Sequence, residues 1–171
     1  MGDHSAIHSV LRDLGEWKTS SSVLLYAPVK GEPDPTTLTT MEEGRCFFYP
    51  RIEGQTLGIY RMKSGSRWVE GPYGLKEPDP KSWESAAPSE IDLALVPGLA
   101  FDRLGGRLGR GKGFYDRLLG ESTFRGTKIG ICWEWQLYPA VPRDSRDIVM
   151  DLVIAGGTLH GTRLDNPIKR G

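Results

Sequence analysis

Short, unbroken apolar runs set between chain breakers constrain this fold more than any other feature. Val23-Leu24-Leu25-Tyr26 is closed by Pro28, Cys46-Phe47-Phe48-Tyr49 by Pro50, and Leu93-Ala94-Leu95-Val96 by Pro97-Gly98. "TKIGICWEW" and "MDLVIAGG" read the same way, and "TLGIYRM" adds a strand in which Leu57, Ile59 and Arg61 alternate with other residues. A strand with one wet face alternates apolar and polar residues. A run without alternation is covered on both faces. The pattern predicts an α/β fold: one three-layer domain with a central, mostly parallel sheet.

The covering elements are less distinct. Ile7, Val10, Leu11 and Leu14 recur at helical spacing and predict a helix over Ser5–Leu14. Thr36–Glu43 has modest amphipathicity and is expected to be helical. Between Ser64 and Ser89 the apolar pattern loosens, and "EGPYGLKEPDPKSW" predicts an ordered loop. Residues 156–171 are expected to form a loose tail. There is no internal repeat, so residues 1–171 are expected to form a single domain.

Charge and cysteine usage narrow the partners. Lysine plus arginine and aspartate plus glutamate number 22 each, so no bulk attraction to nucleic acid or membrane is implied. Any basic site must come from local clustering. No apolar run approaches the roughly 20 residues that span a bilayer. The start, "MGDHSAIHSVL", lacks the basic and then apolar regions of a signal peptide. Cys46 and Cys132 form no CxxC and are expected to be free, buried thiols in a reducing compartment. His4, His8 and His160 make no zinc-like spacing with them. These features predict a cytoplasmic monomer that acts on small molecules, without membrane or nucleic-acid partners.

The local clustering lies in "GGRLGRGKGFYDRLL", Gly105 to Leu119. Gly105, Gly106, Gly109, Gly111 and Gly113 free the main chain to take positive φ and expose N–H groups on a concave side. Arg107, Arg110 and Lys112 add charge. The stretch follows a strand and precedes a helix, where phosphate-binding turns lie in α/β folds. It is not a Walker loop, because Gly113 follows Lys112 where Ser or Thr is required. It comes too late and carries too much charge for the dinucleotide fingerprint. The plainer alternative is a flexible surface loop with solvated cations.

"LVPGLAFDRLGGRLGRGKGFYDRLL" closely resembles the signature of the 5-formyltetrahydrofolate cyclo-ligases, also called methenyltetrahydrofolate synthetases. "VLLYAPVKGEPDPTTL", "FFYPRI", "GPYGLKEP" and "IGICWEWQLYPAVPRDSRDIVMDLVI" resemble further family segments in the right order, from about Ser5 to Ala155. The resemblance implies a cyclo-ligase-like, CoA-transferase-like α/β fold. It implies conversion of 5-formyltetrahydrofolate to 5,10-methenyltetrahydrofolate, with ATP consumed and ADP and phosphate released. It assigns the nucleotide to Arg107, Leu108, Gly109, Arg110, Gly111, Lys112, Gly113, Phe114 and Tyr115. It assigns the folate to Ala27, Glu32, Arg110, Gly111, Lys112, Gly113 and Phe114, and catalysis to Arg110 and Lys112. Asp116 and Asp147 align with Mg²⁺ ligands, with Asp144 and Asp151 as nearby competitors.

Two departures accompany the match. The family begins with a Lys- and Arg-bearing helix that helps hold ATP, and Met1 aligns after it, with Arg12 no obvious replacement. Arg146 stands where a histidine often precedes the metal aspartate; it is expected to pair with Asp147 or face solvent. Trp133 and Trp135 alternate, so one is expected in the core and the other in a cleft or solvent, and Trp68 is a candidate pocket wall. Beside the enzyme stands a second reading, a non-catalytic folate-, nucleotide- or RNA-binding protein of the same fold. A third is a sugar-phosphate or CoA-type enzyme on a related scaffold.

Overall fold

A computed structural model of the chain describes residues 2–40 and 44–161. Its strands are β1 (Ser22–Leu24), β2 (Cys46–Glu53), β3 (Thr56–Arg61), β4 (Trp68–Glu70), β5 (Lys76–Pro78), β6 (Glu84–Ala86) and β7 (Leu93–Val96). Then come β8 (Ala100–Asp102), β9 (Arg107–Leu108), β10 (Thr127–Cys132), β11 (Leu137–Tyr138), β12 (Leu152–Ala155) and β13 (Thr158–His160). The α-helices are α1 (His4–Asp13), α2 (Gly15–Thr19) and α3 (Phe114–Leu119). One 8-stranded sheet runs in the order β13-β12-β10-β7-β1-β2-β3-β6. Its centre, β12-β10-β7-β1-β2, is parallel, and the flanking β13, β3 and β6 are antiparallel.

The unalternating apolar runs fill both faces, as their pattern requires. In β7, Leu93 and Leu95 face a cluster with Ile7, Leu11 and Trp17 of α1 and α2. Ala94 and Val96 face the opposite cluster, with Phe101, Leu118, Leu119 and Phe124. Helix α1 begins at Asp3, whose carboxylate accepts the Ser5 N–H, and lays Ile7 and Leu11 on the sheet. Burying those two side chains stabilises the fold by about 3–6 kcal/mol. Gly130 sits under the Phe101 ring; a Cβ there would lie 2.4 Å from Phe101 Cε1. That glycine lets the layer carrying β8 approach the sheet.

Several expectations are corrected. Strand β2 does not stop at Pro50 but runs to Glu53. Its pairing with β1 is finished by Phe48, so Pro50 lacks an N–H where no ladder bond is needed. The Thr36–Glu43 helix is only a 3₁₀ turn over Thr36–Thr40, held by Asp34, which accepts the Thr36 N–H and hydroxyl; residues 41–43 lie outside the described residues. The 64–89 stretch contains the β4–β5 hairpin and β6, whose brevity hid them from pattern reading. Within the expected tail, Gly156 and Gly157 turn the chain into β13, which pairs with β12; residues 162–171 lie outside the described residues. Both cysteines are free, but only Cys132 is buried, while Cys46 is half-buried. Burial pushes the Cys132 thiol up to about 12. No described helix is long and apolar enough to cross a membrane.

Candidate active site

The glycine stretch is held from within by Asp102, at the end of β8. This carboxylate is 3% exposed. Its Oδ1 accepts the N–H groups of Leu104 and Gly106 at 3.0 and 2.8 Å, and its Oδ2 accepts that of Val141 at 3.1 Å. One side chain therefore fixes the tight β8–β9 turn and ties it to the segment leading to Asp147. Gly105 takes φ +87°, and a Cβ there would lie 2.2 Å from the Met150 carbonyl oxygen. Gly106 N–H lies inside the same turn. The stretch thus starts as a braced hairpin, not a floppy loop. Gly111 and Gly113 also have positive φ, of 90° and 69°, and Gly113 leads into α3.

The stretch faces a cleft of about 1020 Å³ beyond the carboxyl ends of β1 and β7. Every residue that the family resemblance assigns lines it: Ala27, Glu32, Arg107 through Tyr115, Asp116 and Asp147. Glu32, in the loop after β1, accepts the Val29 N–H at 3.0 Å and meets Arg110 at 3.5 Å. That pair bridges the β1 loop and the glycine stretch. Arg107 is 7% exposed at its side chain, donates to the Pro97 carbonyl at 3.0 Å and lies 3.8 Å from Asp116. Burial works against its charge, and Asp116, Tyr115 and Asp147 oppose that effect. The Tyr115 phenol is pushed up by burial, with Arg107 opposing.

Asp116 uses Oδ1 to accept the Ile148 N–H at 3.0 Å, and Asp147 accepts the Asp144 N–H at 2.8 Å. Among the described residues no three His, Cys, Asp or Glu side chains cluster as metal ligands. Two hard carboxylates in one cleft nevertheless suit Mg²⁺, which takes one or two protein oxygens and completes its shell with phosphate and water. Asp144 lines the cleft, whereas Asp151 accepts the Lys128 N–H at 2.8 Å away from it. Arg146 pairs with Asp144 at 3.2 Å rather than with Asp147.

The aromatic expectations divide. Trp133 is buried and donates to the Gly31 carbonyl at 2.9 Å, and Trp135 is exposed. Trp68 does not line the cleft; it packs edge-on against Tyr49 and Trp83. Phe114 and Tyr115 both line it.

The 5-formyltetrahydrofolate cyclo-ligase family profile matches residues 2–156. This chain belongs to that family. It is 33% identical to the 5-formyltetrahydrofolate cyclo-ligase of Mycolicibacterium smegmatis over 140 residues, covering 78% of this chain and 72% of that one. It is 30% identical to the probable cyclo-ligase of Schizosaccharomyces pombe, covering 83% and 78%. The structure resembles the solution structure of Aquifex aeolicus 5,10-methenyltetrahydrofolate synthetase with a TM-score of 0.81 and 34% identity, covering 98% of this chain and 87% of that one. The Mycoplasma pneumoniae synthetase, at 23% identity and TM-score 0.68, shares the fold.

In and behind this cleft, three residues escaped sequence reading. Asp102 was legible in hindsight from "FDRLGG", an aspartate two and four residues before the N–H groups it accepts. Glu77 is 2% exposed, accepts the Ile52 N–H at 2.9 Å and pairs with Arg51 at 3.5 Å, which roots β5 on β2. Tyr73 stands at the tip of the β4–β5 hairpin above the cleft. Glu77 carries no local signal, because it acts across the sheet edge.

Proposed function

We propose that this protein is an ATP- and Mg²⁺-dependent 5-formyltetrahydrofolate cyclo-ligase. The observation that carries the reading is one cleft with two unlike sets of lining residues. Arg107, Arg110, Lys112 and the glycine stretch line it together with Asp116 and Asp147, and Pro50, Ile52, Leu57 and Leu75 add an apolar wall. The charged set suits polyphosphate, the apolar wall a flat, partly apolar folate. Family membership supports the same pairing.

The chemistry required is activation of an amide-like oxygen. The formyl oxygen attacks the γ-phosphorus of ATP, and the bond to the β,γ-bridging oxygen breaks, releasing ADP. N10 then attacks the formyl carbon and gives up its proton, the C–O bond breaks, and phosphate leaves with the oxygen and takes up that proton. Lys112 and Arg110 neutralise charge on the phosphoryl group in flight, and the glycine N–H groups orient it. Glu32 accepts hydrogen bonds from the pterin and is itself aimed by Val29 and Arg110. Arg107 keeps Asp116 directed into the cleft. Asp116 and Asp147 would hold Mg²⁺, which supplies positive charge to the phosphate oxygens. We take the chain as a single-domain, cytoplasmic monomer; the free thiols suit a reducing compartment.

The test is an absorbance assay for methenyltetrahydrofolate with purified protein, 5-formyltetrahydrofolate and MgATP. ATP-dependent product that falls at least a hundredfold in Lys112→Ala is expected. Folded protein that binds folate without turnover would instead leave the non-catalytic reading standing.

A further inference from the structure

We infer that Tyr73 is a folate-stacking residue, whose ring lies over the flat part of the substrate from the tip of the β4–β5 hairpin. The inference rests on the folate reading above and adds a residue to it. Tyr73 is the one described non-glycine residue with positive φ, at φ 62° and ψ 20°. Gly74 follows with φ 70°, and the Leu75 N–H donates to the Pro72 carbonyl at 3.3 Å. Positive φ at both central positions is the type I′ pattern, which Asn, Asp or Gly adopts readily and a bulky aromatic does not. A strained tyrosine where glycine would sit at ease indicates a use for the side chain.

Its surroundings indicate which use. The ring is 70% exposed, so packing does not explain it. It lines the cleft beside Leu75, near the wall made by Ile52 and Leu57. The Lys112 ammonium lies 5.6 Å from its centroid, so the hairpin tip and the glycine stretch face each other across the opening. The hairpin beneath is tied to β2. Glu77 accepts the Ile52 N–H, Arg51 donates to the Pro78 carbonyl at 3.0 Å, and Gly71 lies so close to Glu77 that a Cβ would come within 2.2 Å of Oε2. A fixed aromatic at the mouth of an apolar-walled cleft suits a planar ring system.

Equilibrium dialysis of 5-formyltetrahydrofolate against wild type, Tyr73→Phe, Tyr73→Leu and Tyr73→Gly tests this, alongside KM for each substrate. Loss of the stack in Tyr73→Leu and Tyr73→Gly is expected to weaken folate binding by about tenfold. Tyr73→Phe should stay within about twofold, and KM for MgATP should not move. Tyr73→Gly should melt no lower than wild type, because glycine relieves the turn. Unchanged folate binding in Tyr73→Leu, or an equal loss in Tyr73→Phe, overturns the inference, as does a shift confined to MgATP. Wild type that binds folate but makes no product defeats only the cyclo-ligase reading, and the dialysis comparison still decides Tyr73. Wild type that binds no folate defeats both.

Discussion

Replacing Asp102 tests whether a single buried carboxylate organises the glycine stretch. In Asp102→Ala the N–H groups of Gly106 and Val141 lose their acceptor in buried surroundings, and that of Leu104 loses it in partly buried ones. Each buried donor left unsatisfied costs about 1–3 kcal/mol. Water can reach the Leu104 site, so two full penalties are expected, about 2–6 kcal/mol in total. Asp102→Asn keeps an oxygen at the Oδ1 position for Leu104 and Gly106 but turns an NH₂ toward the Val141 N–H. It should lose about 1–3 kcal/mol. Urea unfolding reads both values as shifts in midpoint at constant slope. Hydrogen exchange should accelerate at Gly106 and Val141 before the rest of the sheet. Turnover should also fall, because the same carboxylate ties the turn to the segment carrying Asp147. A loss under about 1 kcal/mol in Asp102→Ala, or equal losses in the two variants, would refute the argument.

Two glycines of the stretch should differ sharply. Gly105→Ala meets the Met150 carbonyl at 2.2 Å and should destabilise by about 3 kcal/mol or more, whereas Gly111→Ala, with nothing within 4 Å of its Cβ, should cost only about 1–2 kcal/mol of backbone strain; thermal melts decide. Glu32→Gln removes one partner of a pair whose Arg110 side chain is 58% exposed, so stability should change by less than about 1 kcal/mol while folate affinity falls about tenfold, read by dialysis. His8 is held below its ordinary pKa of 6.5, mainly by burial and also by His4 and Arg12, against the Asp34 contacts. The unfolded chain therefore binds the extra proton first, and stability should fall as pH drops below about 6.5, less so in His8→Gln, by urea midpoints at pH 7.5, 6 and 5.

The sequence by itself determined the parallel centre of the sheet. Runs such as Leu93–Val96 and Leu152–Ala155 are buried at every position, as a parallel sheet covered on both faces requires. It also singled out the stretch that lines the candidate cleft, because Gly, Arg, Gly, Lys and Gly within one short stretch have a physical reason in anion binding that is local to the backbone. The expected α1, β7 and α3 likewise depend on periodicity and breakers within one segment. Only the tertiary structure decided what braces that stretch. Asp102 reaches Val141 across 39 positions, and Glu77 reaches Ile52 across 25. It also decided that Pro50 lies within a strand, since whether its missing N–H matters depends on where β1 ends. Side chains that satisfy a distant backbone group leave no period and no spacing behind them. Their partners are fixed by the packing of layers, and a linear pattern does not contain that distance.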